Sequence, residues 1–239
     1  MGVYVCSDIH GHADRYFKLK EMLSPSDTLY IAGDVIDRGN GSLEIIKDVM
    51  TSKNITMLLG NHELFALRYF KKNDVSSPEE WSKNDTWLLP NNGGEETLEA
   101  LKKEPLEFRK DFLSFLSGLP LLIYTNVQGK DYAISHSYVF KSVKEKSAWT
   151  QRDCDARSVT WFSPYKSSMY VPIEAYPDYC TSIVGHVPVQ RIKDDPSSFE
   201  VVKEDNVIFI DGGCAYAKYS PNTALICIEL GSEEVKYIV

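Results

Sequence analysis

The residues best suited to chemistry fall in three short clusters, each at the end of an apolar run. SDIHG supplies Asp8 and His10, GDVIDRG supplies Asp34, Asp37 and Arg38, and GNHE supplies Asn61, His62 and Glu63. Open α/β sheets place their reactive groups where strands end, so three such endings can converge on one site. Two more histidines, His136 and His186, also follow apolar runs directly. Together with Asp8, His10, Asp34 and Asn61 they form an oxygen- and nitrogen-rich donor set without a thiolate, which suits manganese, iron or zinc. A carboxylate shared between two groups of ligands implies a pair of ions. Two ions roughly 3.5–4 Å apart generate hydroxide and stabilise an in-line displacement at phosphorus.

The elements that must position these groups can be read from periodicity. Val3–Cys6, Thr28–Ala32 and Ile55–Leu59 read as strands, separated by helical spacing over Ala13–Leu23 and Gly41–Met50, and followed by a helix from about Glu63 to Phe70. Within the second helix Leu43, Ile45, Ile46 and Val49 face inward and Ser42 is a candidate N-cap. This β-α-β-α-β-α order predicts a parallel sheet with right-handed crossovers. Between 71 and 120 the strand pattern stops and helical spacing takes over, a segment that reads either as a cap inserted over the site or as a helical layer on the sheet. From Leu121 the β pattern returns, with a hairpin turning at Gln128–Gly129 and further strands up to Leu230 in a second, mainly antiparallel set. The expected architecture is α/β, with two facing mixed β-sheets flanked by helices, in a single domain over residues 1–239.

Composition narrows the function classes. The 239 residues are 43% hydrophobic and 12% aromatic, enough to bury a core. A net charge of −8 argues against a nucleic-acid partner held by a general basic surface. No apolar segment approaches membrane-spanning length and the first residues carry a motif rather than a signal, so no membrane partner is expected and a cytoplasmic location is the default. The five cysteines form no CxxC pair and read as reduced thiols, with Cys6 and Cys227 in the core and Cys180 and Cys214 open to exposure.

The motifs SDIHG, GDVIDRG and GNHE in this order, followed by His136, by His186 in VGHVP and by Asp211 in IDGGC, resemble the PPP-type metallophosphatases of the calcineurin-like metallophosphoesterase superfamily. The likeness is greatest to the compact bacterial and phage serine/threonine protein phosphatases, the branch that includes the phage-lambda phosphatase, and runs from about Val3 to Leu230. The resemblance implies two divalent or trivalent ions, Mn²⁺ foremost with Fe or Zn as alternatives. Asp8, His10 and Asp34 would bind the first; Asp34, Asn61, His136 and His186 would bind the second. A hydroxide bridging the two metals would attack phosphorus, His62 would protonate the leaving oxygen with Asp37 orienting its ring, and Arg38 would grip the phosphate. A second phosphate-binding arginine is expected between His136 and His186, where Arg152 is the first candidate and Arg157 the second. His12 reads as surface or pocket rim, and Asp211 as a structural group.

The implied activity is hydrolysis of phosphoserine and phosphothreonine monoesters, with a phosphoprotein or a small phosphoester as partner. A symmetrical dinucleoside tetraphosphate hydrolase is the alternative, although that relative commonly carries glutamine at the position of His10. A non-catalytic phosphoprotein-binding module is a third reading, opposed by the retention of every aligned catalytic position.

Overall fold

The computed structural model describes residues 1–165 and 169–239. Strand β1 (Val3–Cys6) leads through helix α1 (Ala13–Glu21) to β2 (Thr28–Ile31), then through α2 (Ser42–Thr51) to β3 (Ile55–Met57) and α3 (Asn61–Phe70). The three strands are parallel and adjacent, as the alternation of strand and helix requires. Their sheet is completed by β10 (Leu225–Glu229), antiparallel to β1, and β11 (Val235–Ile238) at its edge. Leu43, Ile45, Ile46 and Val49 are the buried stripe of α2. Ser42 does not cap that helix. Gly41 holds the N-cap position, and the Ser42 hydroxyl instead accepts from the Asp37 backbone N–H at 3.0 Å.

The middle of the chain holds α4 (Gly94–Lys103) and α5 (Leu106–Gly118), which lie beside α2 and α3 respectively. Ahead of them, two short 3₁₀ turns at Pro78–Glu80 and Thr86–Leu88 carry Trp81 and the fully buried Trp87 beneath α3, where Tyr69 and Phe70 meet them edge to face. This segment reaches the strand ends at Trp87 and Thr97, which both contact Asp37, and in the loop between them, where the Gly93 carbonyl accepts from the Arg38 N–H at 3.1 Å.

The second sheet has the order β6-β4-β5-β7-β9-β8, built from β4 (Leu122–Val127), β5 (Lys130–Ser135), β6 (Ala148–Trp149), β7 (Thr181–Val184), β8 (Val202–Glu204) and β9 (Val207–Phe209). Gln128 and Gly129 both take left-handed backbone (φ 53° and 82°), the two-residue turn that matches the twist of a hairpin. Three of the five pairings in this sheet are antiparallel, as expected, but the strand ending near Leu230 that the pattern grouped with it is β10 of the first sheet. The central strands β5, β7 and β9 run parallel, because the connections between them are long enough to cross back, one of them carrying α6 (Ala156–Trp161) and the other α7 (Val189–Ile192). Strands β7 and β9 accordingly show nearly continuous burial rather than alternation.

This parallel core matters for the site. The two sheets face each other, and each sends three parallel strands toward the same edge of the molecule. Ser135, Val184 and Phe209 end β5, β7 and β9, so His136, His186 and Asp211 emerge opposite Asp8, Asp34 and Asn61. All five cysteines are free, and Cys180 and Cys214 are buried rather than exposed. Among the described residues no helix is long and apolar enough to cross a membrane.

Candidate active site

The turns that leave the strands are strained in a pattern. Ten non-glycine residues among those described have positive φ, and six of them are Asp8, His10, Asp34, Asp37, Arg38 and His186. Left-handed backbone costs a non-glycine residue about 1–3 kcal/mol, so it persists only where neighbouring structure imposes it. Here the imposing contacts are backbone hydrogen bonds that knit the first two loops: Asp8 N–H to the Gly33 carbonyl at 3.1 Å, His10 N–H to the Asp34 carbonyl at 3.0 Å, and Gly11 N–H to the Val35 carbonyl at 2.8 Å. Two glycines are required by proximity. A Cβ on Gly60 would overlap the Asp34 carboxylate, and one on Gly185 would overlap the Asp8 carboxylate and the Ser7 hydroxyl.

Glu63 holds the second and third loops together. Its carboxylate, 0% exposed, accepts from the N–H groups of Asp34 (2.9 Å), Val35 (2.9 Å), Ile36 (3.2 Å) and Gly60 (3.0 Å). The backbone carrying Asp34 is thereby fastened to the start of α3, where Asn61 and His62 sit.

Asp34 lies at the centre of the cluster. Its Oδ2 faces His10 Nε2 at 3.7 Å, His62 Nε2 at 3.8 Å and His136 Nε2 at 3.4 Å, while Oδ1 accepts from the His62 N–H at 3.0 Å. Asn61 Oδ1 stands 2.8 Å from His136 Nε2 and 2.9 Å from His186 Nδ1. Asp8 Oδ2 accepts from the Ser7 hydroxyl at 2.5 Å and from the His186 N–H at 3.0 Å. Donor atoms of His10, Asp34 and His62, and again of Asp34, His136 and His186, lie within 4.8 Å of one another.

Tautomers show that this arrangement fits a metal. His136 Nδ1 lies 2.9 Å from the Ala32 carbonyl and His10 Nδ1 lies 3.2 Å from the Ile36 carbonyl. A carbonyl can only accept, so each Nδ1 carries the proton and each Nε2 turns a bare lone pair toward the Asp34 carboxylate. Lone pairs aimed at an anion across 3.4–3.7 Å repel unless a cation stands between them. Electrostatics agree. Burial, then the crowding of the other histidines and, for His10 and His186, the Arg38 guanidinium, holds His10 and His136 well below the ordinary histidine value and His186 down at about 3, so all three offer lone pairs at neutral pH. Burial and mutual repulsion with Asp211 and Glu63 push Asp8 and Asp34 well above the usual carboxylate range, and Asp211 is raised to about 6. The site holds more negative charge than its protein surroundings neutralise.

A family model for calcineurin-like phosphoesterases matches residues 1–210. The chain belongs to that family. Members bind two metal ions, and the His/Asp cluster of this chain is compatible with such a pair. A symmetrical bis(5′-nucleosyl)-tetraphosphatase of Salmonella paratyphi A is 33% identical over 110 residues, 44% of this chain; the match spans only 38% of that relative's length. Among solved structures, a protein proposed to be a diadenosine tetraphosphatase superposes with a TM-score of 0.66 at 15% identity, covering 99% of this chain and 92% of the other. A serine/threonine phosphatase from Saccharomyces cerevisiae superposes with a TM-score of 0.57, also at 15% identity, covering 100% and 79%. At such identities these structures speak for the shared sandwich fold.

The cleft has a volume of about 420 Å³ and is lined by Asp8, His10, Asp34, Arg38, Asn61, His62, His186 and Asp211. His136 lies behind it, 0% exposed. Asp211 Oδ1 accepts from the Gly213 N–H at 2.8 Å. His12 lines a neighbouring cavity instead. Arg152 needs correcting: it is exposed and does not line the cleft, because the turn in which it sits is closed by Asp153, which accepts from the N–H and hydroxyl of Thr150 at 2.9 Å. Arg157 is exposed on α6 and is likewise outside. The second arginine at the cleft is Arg191, five positions after His186 and outside the interval in which one was expected. Tyr216 stands between the two cations: the Arg38 and Arg191 guanidinium carbons lie 5.7 Å and 5.3 Å from its ring centre, and Arg191 Nη2 donates to its hydroxyl at 2.7 Å. Asn91, Asn92, Phe65 and Trp161 complete the rim. No local motif marks Arg191 or Tyr216 in the sequence; only the closeness of Arg191 to His186 hints at it.

Proposed function

We propose that this chain hydrolyses alkyl phosphate monoesters, phosphoserine and phosphothreonine among them, by direct displacement at phosphorus. Asp8, His10 and Asp34 would hold one metal ion, and Asp34, Asn61, His136 and His186 the other. Bound there, the ions supply an ionised water at neutral pH and Lewis acidity toward the phosphoryl oxygens.

The observation that carries the substrate class is the environment of His62. Its Nδ1 lies 2.7 Å from Asp37 Oδ2, an oxygen that also accepts from the Trp87 indole N–H at 2.7 Å, while Asp37 Oδ1 accepts from the Thr97 hydroxyl at 2.7 Å. Four elements thus converge to hold one imidazole ring. Its Nε2 has Arg38 Nη2 3.4 Å away, and a guanidinium there disfavours a metal ion at that nitrogen. His62 is therefore placed to hand a proton from Nε2 to a leaving oxygen, with Asp37 stabilising the charged ring. An alkoxide leaving from phosphoserine needs that proton, whereas the nucleotide expelled from a phosphoanhydride is already a stable anion. Arg38 Nε is buried without a partner among the described residues, an unsatisfied cationic donor suited to a phosphate oxygen.

A second reading, symmetrical cleavage of dinucleoside tetraphosphates, is favoured by the matched tetraphosphatases and by Arg191, which adds cationic charge for a longer phosphate chain. The test pairs Mn²⁺-dependent release from a phosphoserine peptide with cleavage of diadenosine tetraphosphate, in the wild type and in His62→Ala. Turnover of the peptide that falls by about 10²–10⁴ in the variant, with a much smaller fall on p-nitrophenyl phosphate, is the expected result. Cleavage of the dinucleotide alone would overturn the monoester reading.

A further inference from the structure

Beside the catalytic cleft lies a second cavity of about 270 Å³, lined by Pro188, Gln190, Arg191, Pro196, Tyr216, Tyr219, Ser220, Asn222 and Thr223. Pro188, Arg191 and Tyr216 belong to both, so the two hollows form one continuous depression. Their chemistry differs. The cleft is ringed by charge, whereas the walls of the second cavity are two proline rings and two tyrosines. Tyr219 is 79% exposed, so its ring is open to a ligand, with the Lys218 ammonium 6.0 Å from its centre. The cavity is not wholly apolar, since Asn222, Ser220 and Gln190 also line it.

From this juxtaposition we propose that the second cavity is a subsite for the nucleobase of a nucleoside phosphate whose phosphate occupies the cleft. The inference rests on the phosphoesterase reading above and adds a substrate class to it. Three features select this occupant. A flat ring suits an aromatic and proline-lined wall, on which any base can stack regardless of sequence. Asn222 and the Ser220 hydroxyl, both partly exposed, offer donors and acceptors to a heterocycle edge, which an aliphatic side chain would leave unpaired. Arg191 stands at the junction, its guanidinium held by the Tyr216 hydroxyl, where it can meet the phosphate as the ring passes into the cavity. A 5′-nucleotide is moreover an ester of a primary alcohol, as phosphoserine is. In its hydrolysis the bond between phosphorus and the 5′ oxygen breaks, a bond from water oxygen to phosphorus forms, and the 5′ oxygen takes a proton, so the same acid serves.

Adenosine 5′-monophosphate and ribose 5-phosphate share phosphate and alcohol and differ only by the base. The expected result is a kcat/KM at least about tenfold higher for the nucleotide, and collapse of that ratio toward one in Tyr219→Ala, whose exposed position spares the fold. Equilibrium dialysis of both compounds against the metal-free protein should show the same preference and the same loss. Equal kcat/KM for the two compounds, or a preference that survives Tyr219→Ala, would overturn the subsite. So would a phosphoserine peptide with an adjacent tyrosine losing as much in the variant as the nucleotide does, which would give the cavity to a peptide side chain. Failure to turn over any phosphate ester, p-nitrophenyl phosphate included, would count against the phosphoesterase reading instead. The dialysis experiment then decides the subsite by itself.

Discussion

Replacing Glu63 by glutamine tests how the site is held together. The carboxylate is inaccessible to solvent and each oxygen accepts two backbone N–H groups, Oε1 those of Val35 and Ile36 and Oε2 those of Asp34 and Gly60. Glutamine has the same shape but only one acceptor oxygen, so its amide nitrogen must face two N–H donors. Two charge-assisted hydrogen bonds are lost at about 1.5–3 kcal/mol each, and the remaining pair weakens to neutral strength. Against this, the variant no longer carries a buried charge whose own pKa is raised by desolvation, and it relieves repulsion with Asp34. The net expectation is a loss of about 3 kcal/mol, which for a domain of this size lowers the melting temperature by roughly 6–12 °C. Thermal unfolding of the metal-free protein, followed by circular dichroism, measures it. Because the two loops tied by Glu63 carry Asp34 and Asn61, Mn²⁺ affinity measured by calorimetry should also fall, by at least about tenfold. A variant that melts within 2 °C of the wild type, or that binds Mn²⁺ equally well, would refute the view that this carboxylate positions the cluster.

Three other perturbations follow from the same geometry. Trp87→Phe removes one donor from Asp37 Oδ2 while keeping the ring in the core, and should cost about 1–2 kcal/mol of stability and lower kcat on alkyl esters more than on p-nitrophenyl phosphate; equal losses on both would sever Trp87 from proton transfer. Arg152→Ala should leave kcat/KM within about twofold, as for any surface charge away from the cleft, and a tenfold loss would return that arginine to the site. Metal affinity should rise with pH between 5.5 and 7.5. The histidines are depressed, His186 to about 3, and so hold no competing protons in this window. Asp211, raised to about 6, does hold a proton at the acid end of this window, and an entering cation favours its loss. Calorimetry in buffers of different ionisation enthalpy should register proton release near pH 6, and release of none would contradict the assigned electrostatics.

Much of the cluster was legible in the chain because its information is local. Asp8, His10, Asp34, Asp37, Arg38, Asn61 and His62 each lie within a few residues of a strand whose apolar pattern is plain, and parallel strands joined by helices must end at one edge. His136 and His186 carried a weaker signal, since a lone histidine after a strand says nothing about which sheet or which direction; it was the parallel placement of β5, β7 and β9 that brought them opposite Asp34. What only the tertiary structure decided are the contacts made across long stretches of chain. Trp87 reaches Asp37 over 50 residues and Thr97 over 60, neither with any pattern that periodicity could reveal. Arg191 meets Tyr216 over 25 residues. Arg152 lies away from the cleft for the opposite reason: its place between His136 and His186 made it the first candidate for a second phosphate contact, but a tight turn keeps it at the surface. Strand and helix patterns report which face a residue takes, whereas the partner of a side chain depends on which elements pack together, and that is settled by the closing of the core.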